Sequence, residues 1–200
     1  MKNIVITLDD VIRAKTLQIG RTYKKYKDHT IKLETLDFSH TDYAEIFNFE
    51  TLEDYQKFLY QDYVLEIFGS APTVNPMIPM LLNNWIMTVN DDYEETDEEY
   101  VNVLLSNAFE FNISIANTYF FLSKLATRVR EVFFPVDSSK IWDKADIVIT
   151  ATPEILNSKP DDKIAIKIDM DYNKDCPADY TYKTLNDFFK DIETINNIRK

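Results

Sequence analysis

Residues 3–8 (NIVITL) form a continuous apolar run that ends abruptly at Asp9 and Asp10. A run of this length and β-branching predicts a strand buried on both faces, as in a parallel sheet. Residues 14–27 (AKTLQIGRTYKKYK) predict a helix with a basic end. Residues 30–48 show no clear period. Thr51 with Asp54 three residues later forms a capping box, which opens a helix over 52–68 that Gly69 stops. The segment 70–76 (SAPTVNP) reads as a loop, and 77–89 as an apolar helix. The acidic run 91–99 reads as a solvated loop or exposed turn.

From residue 100 the pattern changes. Strands over 100–106, 130–135, 146–150 and 163–169 alternate with helices over 114–129, 138–145 and 181–196. Ile115, Tyr119, Leu122 and Ala126 share one stripe of the first of these helices, and Asp137 caps the second. Leu185, Phe188, Phe189, Ile192 and Ile195 form the inward stripe of the last. Strands alternating with helices predict an α/β fold with a parallel sheet covered on both faces. The expected division is a core of 1–13 plus 100–200, with 14–99 as a helical cap inserted after the first strand.

Composition narrows the function classes. Apolar residues make up 45% of the chain, enough for a sizeable core. The formal net charge is −12, and no Lys/Arg run offsets it, which argues against direct nucleic-acid binding. Only Gly20 and Gly69 are glycines, so a Gly-rich phosphate loop and a dinucleotide fingerprint are both excluded. Cys176 is the only cysteine, and no intrachain disulfide exists. His29 and His40 fall outside the expected strands, which argues against a His-based metal site. No apolar run approaches the roughly 20 residues that span a membrane. The expectation is a soluble, intracellular chain.

Ligands of parallel α/β sheets bind beyond the carboxyl ends of the strands. Those ends carry Asp9, Asp10 and Arg13 after the first strand, Ser106 and Asn107 after the second, and Asp169 and Asp171 after the last. Lys140, Lys144, Thr150, Ala151 and Thr152 lie around the third and fourth. Each has a plain structural reading as well. Asp9 and Asp10 suit helix capping, Ser106 and Thr150 suit satisfied strand-end hydroxyls, and the lysines suit solvent.

This order of features resembles the HAD-like superfamily, and within it the 5'(3')-deoxyribonucleotidase-like branch. A first strand ends in an acidic pair followed by Val-Ile-Arg, and a helical segment is inserted next. A strand ends in Ser106. A Lys-bearing segment, SSKIWDKAD, leads into VITATPEIL, and KIDMDYNKD follows. The resemblance covers essentially the whole chain and implies a three-layer α/β fold. Family members carry a nucleophilic Asp and a second Asp two residues on, a phosphate-binding Ser or Thr, a Lys, and late acids that complete a Mg²⁺ site. Here Thr7 stands in the nucleophile's place and Asp9 in that of the general acid. Moving the register to make Asp9 the nucleophile leaves Val11 as the acid. Ser106 matches the hydroxyl, and Lys140 or Lys144 the lysine. Thr150-Ala151-Thr152 stands where the late acids belong.

The resemblance then implies a pseudoenzyme with no cofactor. Thr7, Asp9, Asp10, Ser106, Lys140, Lys144 and Thr150 would be remnants of a pocket. The composition resembles proteins of phages that infect gut Bacteroidetes, including crAss-like phages. The leading expectation is a structural or assembly component, such as a tail or connector ring protein. Its partners would be its own copies or other virion proteins, in the bacterial host cytoplasm during assembly and then in the virion. The 12 Tyr and 13 Phe suit packed interfaces. A second expectation is a Mg²⁺-dependent 5'(3')-nucleotidase or phosphatase with Asp9 or Asp10 as a displaced nucleophile and Asp169 or Asp171 as metal ligands. A third is a module that binds a phosphorylated ligand through Ser106 and a lysine.

Overall fold

The computed structural model describes residues 2–90, 101–107 and 110–199. The acidic run 91–99 and Tyr100 lie outside the described residues. Six parallel strands are ordered β3-β2-β1-β4-β5-β6: β1 (Lys2–Thr7), β2 (Val101–Ser106), β3 (Glu131–Phe133), β4 (Ile147–Thr150), β5 (Ile164–Ile168) and β6 (Tyr180–Tyr182). The central β1 pairs with β2 from Lys2↔Val101 to Thr7↔Ser106, and on its other edge with β4.

The strands are apolar throughout because both faces are covered. Ile4, Ile6, Val103, Leu105, Ile147, Ile149, Ile166 and Ile168 point to one side. Val5, Leu104, Val148 and Ala165 point to the other. The first layer is closed by α4 (Ile78–Thr88), α5 (Asn112–Leu125), α7 (Leu185–Lys190) and α8 (Ile192–Arg199). Trp85 of α4 stacks on Phe189 at 5.0 Å between ring centroids. The second layer comprises the 3-10 turn Ser138–Asp143 and α6 (Pro153–Asn157). Trp142 is buried there and donates its indole N–H to the Ile155 carbonyl at 3.1 Å.

Between β1 and β2 run α1 (Lys15–Tyr26), α2 (Tyr43–Ile46), α3 (Leu52–Lys57) and α4. This segment carries an apolar cluster of its own around Ile19, Phe47, Phe58 and Phe68, each fully buried. Burying each such side chain stabilises by roughly 1.5–3 kcal/mol. Tyr23 joins the rings of Phe47, Phe49 and Phe58. The apolar face of α4, by contrast, belongs to the sheet cluster.

Three elements differ from the sequence pattern, the first being the helix expected over 138–145, which is the 3-10 turn Ser138–Asp143. The helix expected over 52–68 starts at Thr51, whose hydroxyl accepts the Asp54 N–H at 3.1 Å. After Lys57 it loosens into two π-type segments, Phe58–Asp62 and Leu65–Gly69. Gly69 ends the second, where a Cβ would meet Leu65 Cδ1 at 2.8 Å and Phe120 Cδ1 at 3.2 Å. The helix expected over 181–196 is instead β6 followed by α7 and α8. Asp191 breaks it, because its carboxylate accepts the Thr194 N–H and hydroxyl and the Tyr182 hydroxyl.

Candidate functional site

The site is built by the turn that follows β1. The Leu8 carbonyl accepts the N–H groups of Ile12 and Arg13 at 2.9 and 2.8 Å, and Asp10 N–H donates to the Arg13 carbonyl at 2.7 Å. This curl requires φ 58° at Asp10, in the left-handed region. Asp and Asn enter that region more readily than most side chains. Asp9 and Asp10 are thereby brought to the wall of a cavity of about 330 Å³ beyond the carboxyl ends of β1, β2 and β4.

Asp9 is fixed from three elements. Asn107, just after β2, accepts the Asp9 N–H at 3.2 Å and donates its amide to Oδ2 at 3.0 Å. Arg13 Nε donates to Oδ1 at 2.8 Å. Lys15, at the start of α1, donates to Oδ2 at 2.8 Å. Burial pushes the Asp9 carboxyl up, but Arg13, Lys15 and Asn107 outweigh it and hold it at about 2. The Asp9 side chain keeps 14% exposure, toward the cavity. The stability this pairing contributes, on the order of 2 kcal/mol, is present above the ordinary carboxyl value and lost as pH falls toward about 2.

Arg13 is the largest fully buried side chain among the described residues. Besides Asp9 it reaches Glu110 Oε1 at 2.7 Å, Thr118 Oγ1 at 2.7 Å and the Phe68 carbonyl at 3.1 Å. Burial alone would lower its pKa, but Asp9 and Glu110 more than restore it. Glu110 Oε1 also accepts from Asn107 and Thr118, while Oε2 is buried with no hydrogen-bond partner among the described residues.

Asp10 lies in the opposite environment. Its carboxyl accepts the Thr16 N–H at 3.0 Å, the Thr16 hydroxyl at 2.6 Å and the Tyr172 hydroxyl at 3.1 Å, all neutral donors. Burial pushes its pKa up, and the Thr16 bonds only partly offset that. A folded-state pKa above the unfolded one means the contribution is full below the unfolded value and lost as pH rises through the folded value. Asp10→Asn is therefore expected to resist urea better than the parent at neutral pH. That advantage closes at about pH 3, where Asp10 is protonated in both states. Urea denaturation at the two pH values measures it, and an equal gap at both contradicts it.

The other expected residues are placed elsewhere. The Thr7 hydroxyl is fully buried and donates to Thr150 Oγ1 at 3.1 Å, and Thr150 Oγ1 accepts the Thr152 N–H. Ser106 donates to the Phe133 carbonyl at 2.9 Å. None of the three lines the Asp9 cavity. Lys140 and Lys144 are a clear correction. Lys144 lies at the amino end of the sheet, its carbonyl accepting from Asn3 and its ammonium pairing with Glu131 at 3.1 Å. Lys140 pairs with Asp143 on the surface. Asp169 and Asp171 pair with Lys167 and Lys174 and do not line the cavity either. The sequence reading missed Lys15, Thr16, Glu110 and the tyrosines Tyr43, Tyr60 and Tyr172 that wall the cavity.

No family model matches the chain, and none of the curated proteins matches it in sequence. Solved structures do match. The HAD-hydrolase YfnB from Bacillus subtilis aligns over 98% of both chains with a TM-score of 0.59 at 9% identity. A protein assigned as a haloacid dehalogenase-like hydrolase from Burkholderia xenovorans aligns over 97% of both chains with a TM-score of 0.56 at 10% identity. The fold is that of the HAD-like hydrolases. The expected three-layer α/β architecture is thus the one observed.

These findings correct the functional expectations. The pseudoenzyme reading placed the lost nucleophile at Thr7, but Thr7 is sealed beneath the cavity while Asp9 and Asp10 are present, hydrogen-bonded and on its wall. Nothing supports a virion, tail or ring protein, and the fold neighbours are proteins named as HAD-like hydrolases. The expectation of no cofactor finds no support either: of the fold neighbours, YfnB was solved bound to magnesium. Among the described residues no group of three or more His, Cys, Asp or Glu side chains could cage a metal. The available donors are carboxylate oxygens, and Mg²⁺ commonly takes one or two carboxylates plus substrate phosphate and water. Asp9 is a carboxylate on the cavity wall that matches this donor type, with Arg13, Lys15 and Asn107 already on its two oxygens. No helix among the described residues is long and apolar enough to cross a membrane.

Proposed function

We propose that this chain is a Mg²⁺-dependent phosphate-monoester hydrolase, a phosphatase or 5'(3')-nucleotidase, with Asp9 as the reacting carboxylate. The observation that carries this reading is the contrast between two adjacent carboxyls on one cavity wall, Asp9 paired with Arg13 and Lys15 and Asp10 with the neutral Thr16 and Tyr172. Asp9 is held ionised at about 2, and burial pushes Asp10 upward. Two carboxyls driven apart by their surroundings are the usual mark of a nucleophile or base beside an acid.

In this reading an Asp9 carboxylate oxygen attacks the ester phosphorus, and the bond from phosphorus to the leaving oxygen breaks. Asp10 gives that oxygen its proton. Asp10, now ionised, takes a proton from water as the water oxygen attacks the phosphorus of the aspartyl phosphate; the bond from phosphorus to the Asp9 oxygen breaks, releasing inorganic phosphate and restoring both carboxyls. Asn107 orients Asp9 through both its backbone and its side chain. Mg²⁺, held by Asp9 and the substrate's phosphate oxygens, would supply neutralisation of the phosphate charge. Lys15 donates to the same carboxylate, so a bound cation would have to share Asp9 with it.

We also propose that the part of the inserted segment 14–99 that precedes α4 acts as a cap over the core 1–13 plus 100–200, with α4 itself packed on the core sheet. In support, Lys15, Tyr43, Tyr55 and Tyr60 come from this segment and form the outer wall of the cavity. The test is hydrolysis of p-nitrophenyl phosphate and deoxynucleoside monophosphates with Mg²⁺. Turnover that EDTA abolishes is expected. No turnover of any of them with Mg²⁺ present contradicts the proposal.

A further inference from the structure

A second and larger cavity, about 730 Å³, lies on the far side of Asp10, which lines both. A cluster of hydroxyls separates the two. Thr16 and Tyr172 donate to Asp10, and the Thr16 and Tyr43 hydroxyls lie 2.6 Å apart. The second cavity is walled by Val11, Ala14, Ile78, Ile168, Met170 and Leu185, contributed by the β1 turn, α4, β5 and α7. Two large hydrophobics at its rim, Leu17 and Val74, remain 44% and 42% exposed. Exposed apolar surface gathered around one opening, rather than scattered, marks a binding surface.

Size and charge define the ligand. The volume lies within the range of small-molecule sites. Glu34 and Lys183 both line the cavity, are exposed to solvent and carry opposite charges, so together they add no net charge to its lining. The single buried ionisable group of the lining, Asp10, is already engaged by three hydrogen bonds from Thr16 and Tyr172, so it is not a free charge for a ligand to pair with. We propose that this cavity binds one small, uncharged, largely apolar molecule, seated between Leu17 and Val74 with its inner end at Asp10. The inference goes beyond the hydrolase reading and does not depend on turnover.

The test is a fluorescence titration of the full chain with the uncharged probe N-phenyl-1-naphthylamine. Saturable binding of one probe per chain is expected. Leu17→Arg places a charge in the rim, and Val74→Trp fills it. Each is expected to weaken binding by about tenfold or more. Both positions are half-exposed, so thermal melts close to that of the parent are expected. Val136→Ser, at a fully exposed residue that lines neither cavity, is the control and is expected to bind as the parent does. Absence of saturable binding overturns the proposal. So does binding that survives unchanged in both rim variants, or falls equally in Val136→Ser.

Discussion

Arg13→Met destabilises the protein by about 3–5 kcal/mol, the loss expected when one partner of a buried ion network is removed. The guanidinium has no exposure, and the Glu110 side chain it pairs with has none either. Removing the cation strands the Glu110 charge in the interior, where Oε2 already lacks a partner. Asp9 suffers less because Lys15 still reaches it at 2.8 Å. Methionine fills the aliphatic volume between Phe68 and Phe121, the rings the guanidinium now faces at 5.2 and 5.6 Å. The loss is therefore electrostatic more than steric. Thermal denaturation should show a drop of about 10 °C. Arg13→Met combined with Glu110→Leu should recover a large part of it, because both charges are then gone. A double variant no more stable than Arg13→Met alone contradicts the assignment.

Asp9→Asn lowers turnover by about 10³-fold or more while leaving the chain folded. Loss of a reacting group has effects of this size or larger. Asparagine retains the shape and an acceptor toward Asn107, but it cannot form an acyl phosphate by the same route. The charge balance changes as well. Lys15 and Arg13 keep their charges while Asp9 loses its own, so the variant should bind inorganic phosphate at least as tightly as the parent. A fall in kcat with phosphate binding retained separates a lost reacting group from a collapsed site. Steady-state kinetics and a phosphate titration read the two quantities.

Most of the fold was legible because parallel strands buried on both faces leave continuous apolar runs. NIVIT, DIVIT and KIAIKI give β1, β4 and β5 within about a residue. The three-residue β6 left no run of its own, and its residues were absorbed into the following helix. The site was less legible, for three physical reasons. Which side chain faces the cavity after β1 is decided by the turn at Asp10, with its positive φ, and not by linear spacing from a family motif. That is why Thr7 was assigned to a cavity it does not reach.

Lys140 and Lys144 illustrate a second reason. They precede β4, and residues before a parallel strand sit at its amino end, opposite the ligand face. That signal was available in the sequence. The third reason is distance along the chain. Tyr43, Tyr60 and Tyr172 meet at the cavity from separate segments and carry no common spacing. Lys15 falls near the start of the helix expected over 14–27, and only the turn that brings it back over Asp9 reveals its partner.

The most direct test of Asp9 as the reacting carboxylate is an acid-quenched reaction with p-nitrophenyl phosphate and Mg²⁺, followed by peptide mass spectrometry. The account predicts a phosphoryl increment on the peptide containing Asp9, localised to Asp9 and absent from Asp9→Asn. A parent enzyme that turns over with no phosphoryl group on that peptide, or with the group on another residue, contradicts it.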